Sequence, residues 1–382
     1  MRQLSRKTDM RKILKALLHP RWACRRTREL YRLFQGYAPP PATVNVVPTF
    51  ACNLRCQMCS QSQLLRPGDP MLNARLEIRH LERLLDECET FRPGLMLVGG
   101  EPLLYPQLHE AVTLIKQRGF FLSVFTNGLR LAREASFLVE AGVNLLLVSL
   151  DGRPEINDRN RGPGAFAATV EGIRAVRSIR EKTSAPVPAI QMAATISDLT
   201  YAHLSDLGPL ALELGVDSLA LSHLQYQTRE SMSAQITVAR QRLNACFSPE
   251  EFEAQMRPYN DFPEKKFGPI DPEVLLREIA KLRETLRDRI PLQTHPALDA
   301  DEIRKYYTQG VHYRRPPRDR CRAPYESLSF SPTGGLSLCM GYNCGHIEQA
   351  PLLKLWNSPK TRAFRRALDR GGRFPVCHRC CN

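Results

Sequence analysis

Long apolar runs are absent from this sequence of 382 residues. The longest nearly unbroken one, residues 143–150, is far short of the roughly 20 residues that a membrane-spanning helix needs, which excludes helical spans. Internal repeats and low-complexity stretches are missing too. With 43% hydrophobic and 24% charged residues, the composition excludes a disordered, collagenous or fibrous chain. Cysteine is too sparse for a disulfide-stapled scaffold, at 12 in 382 residues. No uninterrupted apolar core with a small-residue cleavage site follows the basic start, so a cytoplasmic location is the expectation. There, clustered cysteines bind metal or do chemistry. Acidic residues are in short supply, 39 Asp and Glu against 54 Lys and Arg, giving a formal net charge of +15. At a prior of roughly 150 residues per domain, the length suits one large domain with attachments or two to three smaller ones.

The positive charge is concentrated. Residues 1–37 hold eleven Lys and Arg against Asp9 and Glu29, so they carry +9 of the total. Ile13, Leu14, Leu17 and Leu18 form one apolar edge there, and Leu30, Leu33 and Phe34 another. Such a basic amphipathic segment suits packing on the body of the protein or peripheral contact with an anionic membrane. Capture of an acidic substrate is a third use, and no nucleic-acid motif accompanies the charge.

From residue 43 the chain alternates between short β-rich runs and helical patterns. Strands are expected at 44–49, 95–98, 120–125, 145–150, 189–195 and 218–221, with helices at 72–88, 107–118, 131–141, 165–180 and 201–214. Successive β–α steps imply a parallel sheet with right-handed crossovers, in a closed barrel or a doubly wound sheet. Residues 222–270 read as irregular, and Asp271-Pro272-Glu273 opens a capped helix. Proline-punctuated basic residues run on to about 320, and short helices are expected at 352–356 and 362–368.

Cys52, Cys56 and Cys59 follow the first strand on one short loop. Three thiolates can converge on one centre; a fourth ligand from elsewhere would close a structural zinc site. Held by these three alone, an iron–sulfur cluster keeps one iron open. Gly99-Gly100-Glu101-Pro102 follows the second strand, Thr126-Asn127-Gly128 the third, Ser149 and Asp151 the fourth, and Arg161 lies in the loop beyond. Carboxyl ends of parallel strands are where α/β folds bind ligands. With these motifs, residues 43–225 resemble the radical SAM enzymes, whose signature is Cys-x3-Cys-x2-Cys after the first strand. The resemblance implies an α/β fold, a partial (β/α)6 TIM-like barrel. It implies that Cys52, Cys56 and Cys59 bind a [4Fe–4S] cluster whose open iron takes S-adenosylmethionine. Gly99, Gly100, Glu101 and Pro102 would hold the methionine amino group, with Asn127 nearby. Ser149 and Asp151 would face the ribose or carboxylate, and Arg161 would pair with the carboxylate. Met58 stands where the family often has an aromatic residue. The implied reaction is reductive cleavage of S-adenosylmethionine and hydrogen abstraction by a 5′-deoxyadenosyl radical, with flavodoxin or ferredoxin as electron donor.

Residues 321–382 hold six of the twelve cysteines. Cys321, Cys339, Cys377 and Cys380 could close a four-ligand site, for zinc or for a cluster. With Gly334 before Cys339 and the Trp356-Asn357-Ser358 segment, they resemble the SPASM/twitch extension of radical SAM enzymes. The shorter twitch form implies one auxiliary [4Fe–4S] cluster. Cys344 and Cys381 do not fit that pattern, and Cys24, Cys88 and Cys246 read as structural or free thiols. The units expected are a basic extension (1–42), the core (43–225), an irregular segment with a helix completing it (226–320) and the cluster domain (321–382). Ser222, His223, Gln225, Tyr226 and Arg229 are the candidate contacts to a substrate that is a peptide, a sugar-like metabolite or a lipid. A non-catalytic zinc protein with a lipid- or nucleic-acid-binding N-terminus is the rival reading; it has no use for polar loops at four strand ends.

Overall fold

Strand β1 (Thr43–Thr49) buries Val44 and Val46 completely, and its intervening residues are half-covered. That pattern marks a strand covered on both faces. The structure is a computed structural model. It describes residues 35–59, 61, 65, 68–225, 229–243, 250–253, 268–309, 312–315, 321–339 and 342–380. The expectation of lipid contact through residues 1–37 falls almost wholly outside them, as do Tyr226, Cys24, Cys246 and Cys381.

After β1 come α1 (Ile78–Cys88), β2 (Gly94–Gly99), α2 (Leu108–Gln117), β3 (Leu122–Thr126), α3 (Leu131–Glu140) and β4 (Leu145–Ser149). Helices α4 (Pro154–Arg161) and α5 (Ala165–Thr183), β5 (Ala189–Ile196), α6 (Leu207–Leu214) and β6 (Ser218–His223) complete the six steps. All six strands pair in parallel and in chain order. Leu95, Leu97, Leu122, Val124, Leu146, Val148, Ile190 and Met192 form the strand side of the core beneath the helices. Each such buried side chain contributes roughly 1.5–3 kcal/mol. Among the described residues the sheet does not close on itself, so the barrel is partial.

Several expectations need correction. The helix expected at 72–88 begins at Ile78; a short 3-10 turn at Pro70–Asn73 precedes it, and Leu76 N donates to Pro48 O instead of joining a helix. The stretch 201–214 divides into a 3-10 turn, Tyr201–Asp206, and α6, with a kink at His203. Arg161 sits in the last turn of α4, not in a loop. The supposedly irregular stretch after β6 contains α7 (Arg229–Leu243), a polar helix with only a sparse buried stripe. Helix α8 (Pro272–Leu286) is capped as expected, Asp271 accepting from Glu273 N and Val274 N. Beyond it, β7 (Leu292–His295) extends the sheet beside β6, and α9 (Ala300–Thr308) opens on an Asp299/Glu302 capping box.

The C-terminal unit joins the same sheet from its other edge. Strand β8 (Ser327–Phe330) lies parallel to β1, and β9 (Gly335–Ser337) and β10 (Asn343–His346) continue antiparallel from it. Then come α10 (Leu352–Trp356) and α11 (Pro359–Gly371), and a final 3-10 turn, Pro375–Arg379. The described residues thus form a ten-stranded sheet in the order β10-β9-β8-β1-β2-β3-β4-β5-β6-β7.

A strap of residues 36–39 runs ahead of β1 under the C-terminal helices. Asn357 Oδ1 accepts from Ala38 N (2.9 Å) while its Nδ2 donates to Ala38 O (3.0 Å), and Trp356 Nε1 donates to Pro39 O (2.7 Å). The fully buried Arg365 donates to Gly36 O, Pro324 O and Asn357 Oδ1 beneath the Trp356 ring.

Candidate active site

The pairing of β1 with β2 shifts register between Val46 and Thr49, turning the chain outward just before the cysteine loop. The two glycines after β2 let the next loop lie directly against it. Gly100 N donates to Thr49 O (3.0 Å) and Glu101 N to Ala51 O (2.8 Å). A Cβ on Gly100 would stand 2.2 Å from Ala51 O, so the approach requires bare backbone. From the other side, Gln57 N donates to Asn160 O and Gln57 Nε2 to Arg159 O, fastening the cysteine loop to the end of α4.

These fastenings frame a cavity of about 340 Å³ at the carboxyl ends of the strands. Cys52, Cys56, Cys59, Gly99, Gly100, Glu101, Asn127, Ser149, Arg161, Ser222, His223 and Gln225 all line it. Pro102 and Asp151 lie behind the wall, Arg229 at the start of α7 is not part of it, and Tyr226 is outside the described residues. Phe125, Met58, Leu54 and residues 193–195 supply apolar surface and backbone. Phe125 was not singled out by its sequence; an exposed ring inside an otherwise buried strand is visible only in three dimensions.

Glu101 is 1% exposed, and its carboxylate accepts from Leu103 N (3.0 Å), Thr126 Oγ1 (2.7 Å) and Asn127 N (2.7 Å). Burial pushes its pKa up and the three donors pull it back. The second bond and the third lock the ends of β2 and β3 to each other. Since a carboxylate has about four acceptor positions, one remains for a ligand amine. Asp151 is not turned toward a ligand. It accepts from Asn160 Nδ2 (2.7 Å) and Thr195 N (2.9 Å), and Arg161 Nε stands 2.7 Å from it as a buried ion pair. Its work is to hold Arg161 at the cavity wall.

Burial pushes the Cys56 thiol up to about 11, and the neighbouring thiolates Cys59 and Cys52 add to that while Arg161 opposes it. Cys52 is likewise raised, by burial first. Thiols that repel one another as thiolates are the donor set a multiply charged cationic centre neutralises. The C-terminal set behaves the same way. Burial and its neighbours Cys377, Cys321 and Cys380 hold Cys339 well above the usual thiol range, and burial with Cys321 and Cys380 pushes Cys377 up to about 12. Cys321, Cys377, Cys380 and Cys344 all lie close enough to Cys339 to raise it. Cys344 is buried against Thr361 and Arg365 of α11, with its S–H donating to Tyr342 O. Among the described residues, the ligand atoms of His80, His346 and Glu348 gather within 4.8 Å, a single-ion spacing.

His223, at the end of β6, is 2% exposed, its Nδ1 standing 2.6 Å from Tyr307 Oη on α9. Burial, with Arg315 nearby, holds its pKa down to about 4, so it is a neutral imidazole in the wall.

Residues 46–187 match the Radical SAM superfamily, and residues 321–381 match SPASM, an iron–sulfur cluster-binding domain. The chain is 33% identical over 192 residues to the tungsten-containing aldehyde ferredoxin oxidoreductase cofactor-modifying protein of Pyrococcus furiosus, covering 48% of this chain and 52% of that one. It is 30% identical over 171 residues to the mycofactocin maturase MftC of Mycobacterium tuberculosis, covering 44% and 41%. The matches thus span about half the length of these curated relatives. In fold it is similar to Streptococcus suis SuiB bound to its precursor peptide SuiA, with a TM-score of 0.60 at 14% identity over 89% of this chain and 70% of that one. It is also similar to anSMEcpe with bound AdoMet, with a TM-score of 0.57 at 14% identity over 85% and 83%.

Proposed function

We propose, for a chain that belongs to the radical SAM superfamily and carries a SPASM iron–sulfur domain, that the cavity at the strand ends is where S-adenosylmethionine is cleaved and a substrate loses a hydrogen atom. The observation that carries this reading is the meeting of Cys52, Cys56 and Cys59 with Gly99, Gly100, Glu101, Asn127, Ser149 and Arg161 around one cavity. A [4Fe–4S] cluster with S-adenosylmethionine, when bound, supplies one electron to the sulfonium and releases a 5′-deoxyadenosyl radical that removes the hydrogen atom.

The chain's own residues place and shield that chemistry. Cys52, Cys56 and Cys59 would hold the cluster through three thiolates, which would leave one iron for the methionine amino and carboxylate groups. Glu101 offers its remaining acceptor position to the amine, next to the bare backbone of Gly99 and Gly100. Arg161, kept in place by Asp151, offers its guanidinium to the carboxylate. Met58 and Leu54 exclude water from one side. The substrate meets Ser222, His223, Gln225 and the Phe125 ring on the β3 and β6 side of the cavity. His223, neutral and anchored on Tyr307, orients it by hydrogen bonding without adding charge.

Cys321, Cys339, Cys377 and Cys380 hold one auxiliary [4Fe–4S] cluster that passes electrons, and a flavodoxin or ferredoxin reduces the enzyme. The burial of Cys339 and Cys377 with Cys321 and Cys380 nearby supports this set, and Cys344, close to Cys339 as well, is held against Thr361 and Arg365 of α11.

The test is anaerobic reconstitution, iron and sulfide counting, and a dithionite assay for 5′-deoxyadenosine. Two clusters give about eight irons, and Cys56→Ala should lose about four of them and all 5′-deoxyadenosine formation. Undiminished cleavage in that variant removes the first site. Unchanged iron after replacing Cys377 and Cys380 removes the second.

A further inference from the structure

A second group of potential ligands lies away from both cysteine sets, where the first helix of the barrel meets the C-terminal hairpin. His80 is in the first turn of α1, His346 ends β10, and Glu348 follows two residues later. One ligand atom from each lies within 4.8 Å of the others. His80 Nε2 is 3.0 Å from Glu348 Oε1, His346 Nδ1 is 3.9 Å from Glu348 Oε2, and the two imidazoles stand edge to face with centroids 5.6 Å apart.

Three further details fit a bound ion. His80 is 5% exposed and its Nδ1 has no hydrogen-bond partner, so a buried imidazole is held by a single contact to a half-exposed carboxylate. A buried polar atom left in that way calls for an ion or water. His346 donates from Nε2 to Thr333 O, and its Nδ1, on the Glu348 side, accepts from Glu348 N at 3.2 Å, a long bond that an ion would replace; a backbone carbonyl on the far nitrogen is how ligating histidines are oriented. Finally, the turn between β8 and β9 passes both rings at Gly334. A Cβ there would stand 2.8 Å from His346 Nε2 and 3.3 Å from His80 Nδ1. The neighbouring cation Arg79 pairs only at long range with the carboxylate, Nη1 standing 3.7 Å from Glu348 Oε1, while its closer partner is Glu77 at 2.6 Å.

We propose that His80, His346 and Glu348 bind a divalent cation of borderline hardness, zinc above all, which pins the C-terminal hairpin to α1. Two imidazoles and one carboxylate suit zinc, with water completing the shell at the exposed rim.

The experiment uses the reconstituted full chain, with iron measured in every sample so that filled cysteine sets are seen independently. Zinc is titrated by equilibrium dialysis and both metals are counted. Wild-type protein should hold one zinc per chain with its iron unchanged. Because losing an outer-shell partner alone costs 10–100-fold in affinity, His346→Ala and Glu348→Gln should weaken zinc binding at least ~10-fold. Both residues are solvent-accessible, so the variants should fold, and their iron content and S-adenosylmethionine cleavage should match wild type. Equal zinc in wild type and His346→Ala, or no zinc in either, would make the three side chains a hydrogen-bonded clasp and overturn the site.

Discussion

Glu101 is the residue on which two loops depend. Its carboxylate serves three donors from two strand ends, and no neutral side chain can serve the same three. In Glu101→Gln the amide nitrogen would be turned toward Asn127 N or Leu103 N, leaving a buried donor without an acceptor. That costs about 1–3 kcal/mol, and the urea unfolding midpoint should fall accordingly while the far-ultraviolet circular dichroism stays native. An unchanged midpoint would mean that these bonds do not brace the loops. The same residue marks the limit of reading a motif by its letters. Glu101 and Asp151 both suggest groups open to a ligand. Asp151 is instead enclosed by Asn160, Thr195 N and Arg161, because a carboxylate buried beside an arginine is stable only when its lone pairs are filled.

Among the elements, the strand–helix alternation was legible because each strand is a short apolar run and each helix has its own stripe. Helix α7 was not, because its buried residues Met232, Gln235, Ala239 and Leu243 make too weak a stripe to separate from loop. Nor was β8 legible as the neighbour of β1. Four residues of ordinary β-propensity carry no sign of a parallel partner at the far end of the chain. The Trp356-Asn357 pair was noticed as part of a resemblance, but its physical work, holding the strap of residues 36–39, belongs to the tertiary structure. Asn357→Ala removes bonds to both polar backbone groups of Ala38 and to Arg365, a loss of about 1–3 kcal/mol by the usual cost of buried unpaired groups. Limited proteolysis should then cut ahead of β1 sooner than in wild type, and an equal cutting rate would show that Arg365 and Trp356 suffice.

For the molecule as a whole, the buried neutral His223 ties stability to acidity. Its folded-state pKa is about 4, below the ordinary 6.5. Between those values the unfolded chain binds a proton that the folded chain refuses, so stability falls as pH drops through the window and levels off below it. One such histidine accounts for about 3 kcal/mol between pH 7 and pH 4. Unfolding free energies at both pH values should differ less for His223→Gln than for wild type by about that amount; parallel pH profiles would show that the imidazole titrates freely in the folded protein. Another consequence concerns time. Ala38 and Asn357, which clasp each other, are 319 positions apart. At 5–20 residues per second, a ribosome takes on the order of 15–60 s to travel from one to the other. For most of that interval, from the making of β2 until that of β8, β1 has β2 on one side and an unsatisfied row of backbone groups on the other. The nascent chain therefore carries a sticky edge through more than two hundred residues of synthesis, and the strand Ser327–Phe330 is what closes it.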